Sequence, residues 1–404
     1  MKISFDIKDY ISNSYLNKNI IRKLKKKSKN IIFNIIGEIK KPDRTLNILD
    51  DKFKFNFKEK ELNKFKKYKT IALIGMGGSI LGTEAINFFF KEKIKKKTFF
   101  FNDLDEDKVI NFTKNRNLSK VLFIITSKSG NTIETLSNTF LMKIIKKNSK
   151  NIIIISERKN NFLYLLSKKF NLFYIEHKKF VGGRYSVLSE VGMVPAYIFG
   201  LKIKKLRQNL NIYTKGFRLN FLRESTIKLA NILISKKFNN LIFLNYAPEL
   251  EKFLFWSQQL IAESLGKKNI GFLPVISSAP KDHHSLLQLY LDGPKDKIFY
   301  IFSHEKRTKK KIKISKIFKN TNFLDNKNFN TVKIAQKNAL IKTLKKKNIP
   351  FREFKIKSRN EQTVGALFSY FILETIILGR LLNINPFNQP AVEQVKVFTK
   401  KLLN

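Results

Sequence analysis

At 404 residues, 43% of them hydrophobic, the chain is long enough for two domains of ordinary size, each with its own core. It carries a formal net charge of +49 and no cysteine, which excludes disulfides and thiolate metal sites. No run of roughly 18 apolar residues marks a membrane span, and Asp6, Lys8 and Asp9 interrupt the apolar core a secretory leader needs, so the expected location is the cytoplasm.

Residues 1–45 read as a helical lead-in, with periodic, lysine-rich stretches over 7–15 and 18–39. From residue 46 strand–turn–helix units follow, with strands expected over 70–74, 98–101, 121–125, 152–155 and 172–175 and helices over 80–90 and 133–145. A helical connector covers about 188–236. A second set of strands is expected over 241–244, 270–275, 298–302 and 353–356, with helices over 251–265, 330–346 and 362–380 and a last one over 390–403. Continuous apolar strands alternating with helices mean a parallel sheet covered on both faces. The expected fold is α/β: two doubly wound parallel-sheet domains, 46–205 and 206–380, between the 1–45 segment and a C-terminal helical arm, 381–404. Ligands of such sheets bind at the carboxyl ends of the strands.

The charge alone points to nucleic acid. Its lysines are dispersed over the chain, however, in short runs such as 93–97 and 345–347, and no RNA-recognition signature, zinc-finger spacing or basic zipper is present. The expectation is a solvated basic surface that draws in an anionic small substrate, with no specific nucleic-acid partner and no membrane.

Several stretches could carry chemistry. Gly75-Met76-Gly77-Gly78-Ser79 lies between a strand and a helix, where glycines admit a ligand to the backbone and a helix N-terminus favours anions; a tight turn with a capping serine fits equally. In Thr126-Ser127-Lys128-Ser129-Gly130-Asn131-Thr132, four hydroxyls and a lysine share one turn, which suits a phosphate cradle. The same residues with Glu134 would also make an N-terminal capping box. Arg184 follows the Gly182-Gly183 pair and can hold an oxyanion or carboxylate. Glu263, near the end of the 251–265 helix, projects beside Trp256 and Leu260 on the edge of an apolar arc, with Gly266 as the expected helix stop. Partial burial and the negative end of the helix dipole make such a glutamate a candidate base. His283 and His284 are adjacent and point in different directions, against paired metal ligation, but either can move a proton. His177 and His304 have no suggestive neighbours and read as surface residues.

Taken in order, GMGGSILG, TSKSGNTIET, GGRYSVLSEVG, QLIAESLGKK, DHHSLLQ and NPFNQPAVEQVK resemble the glucose-6-phosphate isomerase (phosphoglucose isomerase) family, its shorter bacterial members in particular, from about residue 70 to the C-terminus. The resemblance implies two sugar-isomerase (SIS) domains, a homodimer with shared active sites, glucose 6-phosphate and fructose 6-phosphate as substrates, and no metal or organic cofactor. It assigns Glu263 as the base that moves a proton between C2 and C1, Arg184 as the stabiliser of a cis-enediol(ate), and His284, from the neighbouring subunit, as the ring-opening histidine. Lys396 would assist at the ring oxygen and Gln389 contact the sugar. Ser127, Lys128, Ser129 and Thr132 would hold the phosphate, with Gly78 and Ser79 against the sugar. Glu190 stands where the family has a small residue, and 305–330 has no clear counterpart and reads as a lysine-rich surface excursion. An isomerase of another phosphosugar, such as mannose 6-phosphate, a non-catalytic sugar-phosphate sensor and a nucleic-acid binder are the rival readings.

Overall fold

A computed structural model describes residues 5–305, 309–314 and 323–403. Short apolar runs ending in serine-, glycine- or asparagine-containing turns form the strands: β1 (Phe5–Asp9), β2 (Thr70–Ile74), β3 (Lys97–Phe101), β4 (Val121–Thr126), β5 (Ile152–Ser156), β6 (Phe173–Glu176), β7 (Asn240–Asn245), β8 (Leu273–Ser278), β9 (Lys297–His304) and β10 (Phe351–Ile356). One sheet runs β3-β2-β4-β5-β6, every neighbouring pair parallel. The second runs β1-β10-β9-β7-β8, parallel except for β1, which joins the edge antiparallel with Phe5 opposite Ile356. Both sheets thus place their first-threaded parallel strand inboard, the second at one edge and the third on the other side, so the chain repeats one plan.

Successive strand residues face opposite sides, and the core is divided accordingly. Ile71, Leu73, Leu122 and Ile124 from the first sheet share one continuous core with Leu241, Phe243, Tyr300 and Phe302 from the second. Their alternates form two outer clusters, Ala72, Phe123, Ile125 and Ile154 under one sheet and Ile242, Leu244, Phe299 and Ile301 under the other. Double-sided burial explains why these strands are apolar throughout rather than alternating.

Three expectations are corrected. The 7–15 stretch is helical only in a short 3-10 turn, Asn13–Tyr15: Phe5–Asp9 is a strand, because Phe5 and Ile7 pack on the common core while their neighbours stay more exposed, a period of two. The strand expected at 270–275 begins three residues later, since Lys267 and Ile270 close a tight bridge with Lys268 and Asn269 in left-handed conformation. The helix expected to reach 145 ends at Leu141. The Glu361–Leu381 helix is long and apolar enough to cross a membrane, yet it is buried within the protein, against the Glu251–Leu265, Gly216–Ile234 and Lys18–Ile39 helices.

The second half carries a fully buried charge network. Arg352 donates to Glu374, to the Tyr300 hydroxyl at 2.9 Å and to the Tyr370 hydroxyl at 3.1 Å. Both tyrosines donate in turn to Glu374, at 3.0 and 2.8 Å. Asp9 of β1 lies 3.6 Å from the guanidinium, so the N-terminal strand is tied to the same charge. Removing one partner from a buried pair leaves an uncompensated charge, at a cost of about 3–5 kcal/mol, whereas removing both costs far less. Glu374→Leu should therefore destabilise the fold by about that amount in urea unfolding, and Glu374→Leu with Arg352→Met should recover most of the loss.

Candidate active site

The site forms where the loops after β2 and β4 meet elements from the second half of the chain. In a sheet of this order the crevice opens at the carboxyl ends of the strands on either side of the switch in direction. A Cβ on Gly75 would lie 2.9 Å from the Thr126 carbonyl oxygen, so the two loops touch. At Gly78 a Cβ would come within 2.2 Å of the Gly183 carbonyl carbon and 2.4 Å of the Arg184 nitrogen. Only glycine permits that backbone-to-backbone approach, which seats the turn Gly183–Leu188 against the strand-end loop; Ser186 adds a hydrogen bond to the Gly78 carbonyl at 3.2 Å.

Arg184 is buried and every one of its five N–H donors is engaged. Nε donates to Ser264 Oγ at 2.8 Å. Nη1 donates to Glu263 at 3.2 Å and to Gln389 Oε1; Nη2 donates to the Pro386 and Asn388 carbonyls at 2.6 and 3.2 Å. Tyr185 donates to the Pro386 carbonyl at 2.8 Å, so at the 2.9 Å Ser264–Tyr185 contact the serine is the donor. Glu263 keeps a second partner: Gln259, one helical turn back, donates to its other oxygen at 2.8 Å. Trp256 and Leu260 are buried beneath it and Glu263 itself is partly exposed, the edge position its spacing predicts. Gly266 ends the helix, though not in left-handed conformation; its backbone donates to the Ala262 carbonyl at 2.9 Å.

The hydroxyl-rich turn is closed on itself. Ser127 and Thr132 hydroxyls lie 2.7 Å apart, with Ser129 at 3.4 Å from each. The Gly130 and Asn131 amides point back onto Ser127 and Ser129 at 3.1 and 3.3 Å. Lys128 donates to the Lys179 carbonyl at 2.9 Å and lies 3.5 Å from Glu157. Burial pushes the Lys128 ammonium below its usual range; Glu157 opposes this, while Lys159 and Arg184 add to it, which puts the turn and Arg184 in one electrostatic neighbourhood.

Arg184, Glu263, Gln389 and Gly78 therefore come together, half-buried Ser79 closes the Gly77–Ser79 turn beside them, and Ser127, Lys128, Ser129 and Thr132 form the adjoining turn. Two expected residues lie elsewhere in the chain. His284 is exposed in the Lys281–His284 turn, and Lys396 is exposed on the Ala391–Leu403 helix, paired with Glu393 at 2.7 Å. His283 turns inward and bonds Tyr246 at 2.6 Å, so the two adjacent histidines do diverge.

His177 and His304 are not surface residues. His304 is buried and paired with Glu249; His177 is buried at the end of β6, where burial, reinforced by Lys128, pushes it down to about 4. Glu190 is buried as well and stays out of the Arg184 network: it accepts the Asn56 amide at 2.9 Å, and burial pushes its carboxyl up. The 305–330 stretch lies partly outside the described residues; Lys309, Lys310 and Lys311 within it are exposed. Sequence reasoning overlooked Gln259, Ser264, Tyr185, Glu157 and the carbonyls at 386 and 388. Gln259 was detectable as the i−4 neighbour of Glu263; backbone carbonyls leave no signal in side-chain patterns.

A carboxylate, a guanidinium and a hydroxyl-lined turn around one crevice can handle a proton, a developing negative charge and an anionic anchor. The phosphoglucose isomerase family profile matches residues 36–404. A glucose-6-phosphate isomerase of Methanocaldococcus jannaschii is 32% identical over 85% of this chain and 88% of its own length. One from Campylobacter jejuni is 32% identical over 90% of both chains. The crystal structure of a glucose-6-phosphate isomerase from Chlamydia trachomatis has the same fold, with a TM-score of 0.80 at 16% identity over 100% of this chain and 89% of that one. By this match along nearly its whole length, the chain belongs to the phosphoglucose isomerase family.

Proposed function

We propose that the chain interconverts D-glucose 6-phosphate and D-fructose 6-phosphate through a cis-enediol(ate), as a step of sugar metabolism. The observation that carries this reading is the buried Arg184 holding Glu263 and Gln389 at one crevice beside the Ser127–Thr132 turn. Glu263 takes the proton from C2 of the open-chain aldose and returns it to C1. All the N–H groups of Arg184 are spoken for, so it acts on the enediolate through its fixed positive charge and by aiming Glu263, with no reorganisation at the moment of reaction. Ser127, Lys128, Ser129 and Thr132 bind the phosphate, whose remote binding energy positions the open chain. Gly78 and Ser79 line the sugar and Gln389 contacts it.

The fuller architecture belongs to the same proposal: two doubly wound SIS domains, 46–205 and 206–380, with an arm at 381–404, acting as a cytoplasmic homodimer. Support comes from exposure. His284 faces solvent, where it can reach a second copy's site as the ring-opening histidine. The Ala391–Leu403 helix leaves Val395, Phe398 and Leu402 uncovered; it starts two residues after Gln389 and carries Lys396 to the ring oxygen when it folds over the substrate.

The direct test is a coupled assay with glucose 6-phosphate and fructose 6-phosphate, run with mannose 6-phosphate alongside; absence of turnover on the first pair refutes the reading. Glu263→Gln should lower kcat by about a thousandfold or more while phosphosugar binding, followed by calorimetry, persists. Retained turnover would remove Glu263 from the role of base. Lys128→Ala should raise KM by about 10- to 100-fold, the worth of one charge-assisted hydrogen bond, with a smaller change in kcat. An unchanged KM would place the phosphate elsewhere.

A further inference from the structure

Lys267 stands two residues beyond the Glu251–Leu265 helix and has no part in the chemistry assigned above. Its ammonium donates to the Ser264 carbonyl at 3.0 Å and to the Asn385 carbonyl at 2.7 Å. The first bond is what a lysine at a helix C-terminus ordinarily makes. The second is different, because Asn385 begins the segment that runs through the Pro386 and Asn388 carbonyls to Gln389. Helix and segment are therefore joined inside by Arg184 and Tyr185 and again at the rim by Lys267.

The backbone fixes where Lys267 points. Its amide donates to the Ile270 carbonyl and its carbonyl accepts from the Ile270 amide, each at 3.0 Å. Gly266 makes the turn possible, since a Cβ there would lie 2.8 Å from the Ala262 carbonyl. Lys268, by contrast, is exposed and reaches only the Asn383 carbonyl, at 3.2 Å. Lys267 is half-buried; the charged groups that face it are Arg184 from the Gly183–Leu188 turn and Glu263 from its own helix, and the 385–389 segment offers it a carbonyl.

We propose that Lys267 is a positioning residue for the isomerisation, its charged ammonium clamping the Glu263 helix to the Gln389 segment so that base and guanidinium keep their separation. The proposal rests on the isomerase reading of Glu263 and Arg184. A charged donor holds carbonyls more strongly than a neutral amine, so the clamp works while Lys267 is protonated. Burial, with Arg184 adding repulsion and Glu263 opposing, pushes Lys267 down to about 8. The group is charged below that pH and neutral above it, so the clamp weakens as the medium becomes alkaline. The loss falls on kcat, because the phosphate is held by a different turn.

The test measures kcat and KM for fructose 6-phosphate from about pH 6 to pH 10 on the full-length chain and on Lys267→Arg and Lys267→Gln. The wild type should lose kcat above about pH 8, and Lys267→Arg, whose charge does not titrate, should hold kcat for about one further pH unit. Lys267→Gln should lack this alkaline loss and run roughly tenfold slower at neutral pH, with KM within about threefold of wild type. Coincident alkaline limbs in wild type and Lys267→Arg would overturn the proposal, as would a Lys267→Gln effect confined to KM. If Lys267→Gln fails to fold, the Lys267→Arg comparison decides alone. A wild type without turnover refutes the isomerase reading; an active wild type with unchanged variant profiles refutes only the role of Lys267.

Discussion

A guanidinium taken out of water must have its donors satisfied, or the fold bears the full desolvation cost. Arg184 meets that demand with five acceptors, drawn from a helix of the second half and from the segment before the C-terminal helix. Satisfying one side chain therefore fixes three stretches of chain that are far apart in sequence. The placement of the carboxylate follows from that constraint: Glu263 completes the set of acceptors. Tyr185 and Ser264 bond each other beside these residues, and Ser264 also accepts from Arg184, so the same helix and segment are tied a second time.

The two sheets follow one plan but divide the labour. The first supplies the glycine-rich and hydroxyl-rich loops at its carboxyl ends, and the second lends the helix that brings a carboxylate across. At the corresponding ends of the second sheet the chain has Glu249 paired with His304, and Tyr246 paired with His283. Acidic and aromatic groups there close on histidines, where the first sheet has a turn of hydroxyls and a lysine. The long apolar helix Glu361–Leu381 lies beneath this arrangement, packed between the second sheet and four other helices.

Much of this was legible in advance, for identifiable reasons. Strands such as IALI and VLFIIT are buried on both faces, so continuous apolarity located them well. The turns were legible because glycine and serine are demanded by close approach, as at Gly78 against Gly183. Phe5–Asp9 was misread because five residues with only two apolar inward positions, the third being Asp9 with its side chain buried, carry little periodic signal, and a lysine-rich context mimics a surface helix. His177 and His304 were misjudged because burial of a lone histidine depends on what folds over it. Carbonyl acceptors such as Pro386 and Asn388 were invisible to any pattern of side chains, although they complete the coordination of Arg184.

The antiparallel pairing of β1 with β10 has a consequence for how the molecule is made. Once made, β1 finds its neighbour only when residues 351–356 have emerged from the ribosome, so the chain between the two is synthesised while that strand waits. Meanwhile Asp6, Lys8 and Asp9 keep the waiting strand soluble, and the open rim of the second sheet cannot be sealed. Closure of the second sheet is thus a late event spanning most of the chain rather than a local one, and loss of Phe5–Asp9 would be felt at β10, more than 300 residues away in sequence.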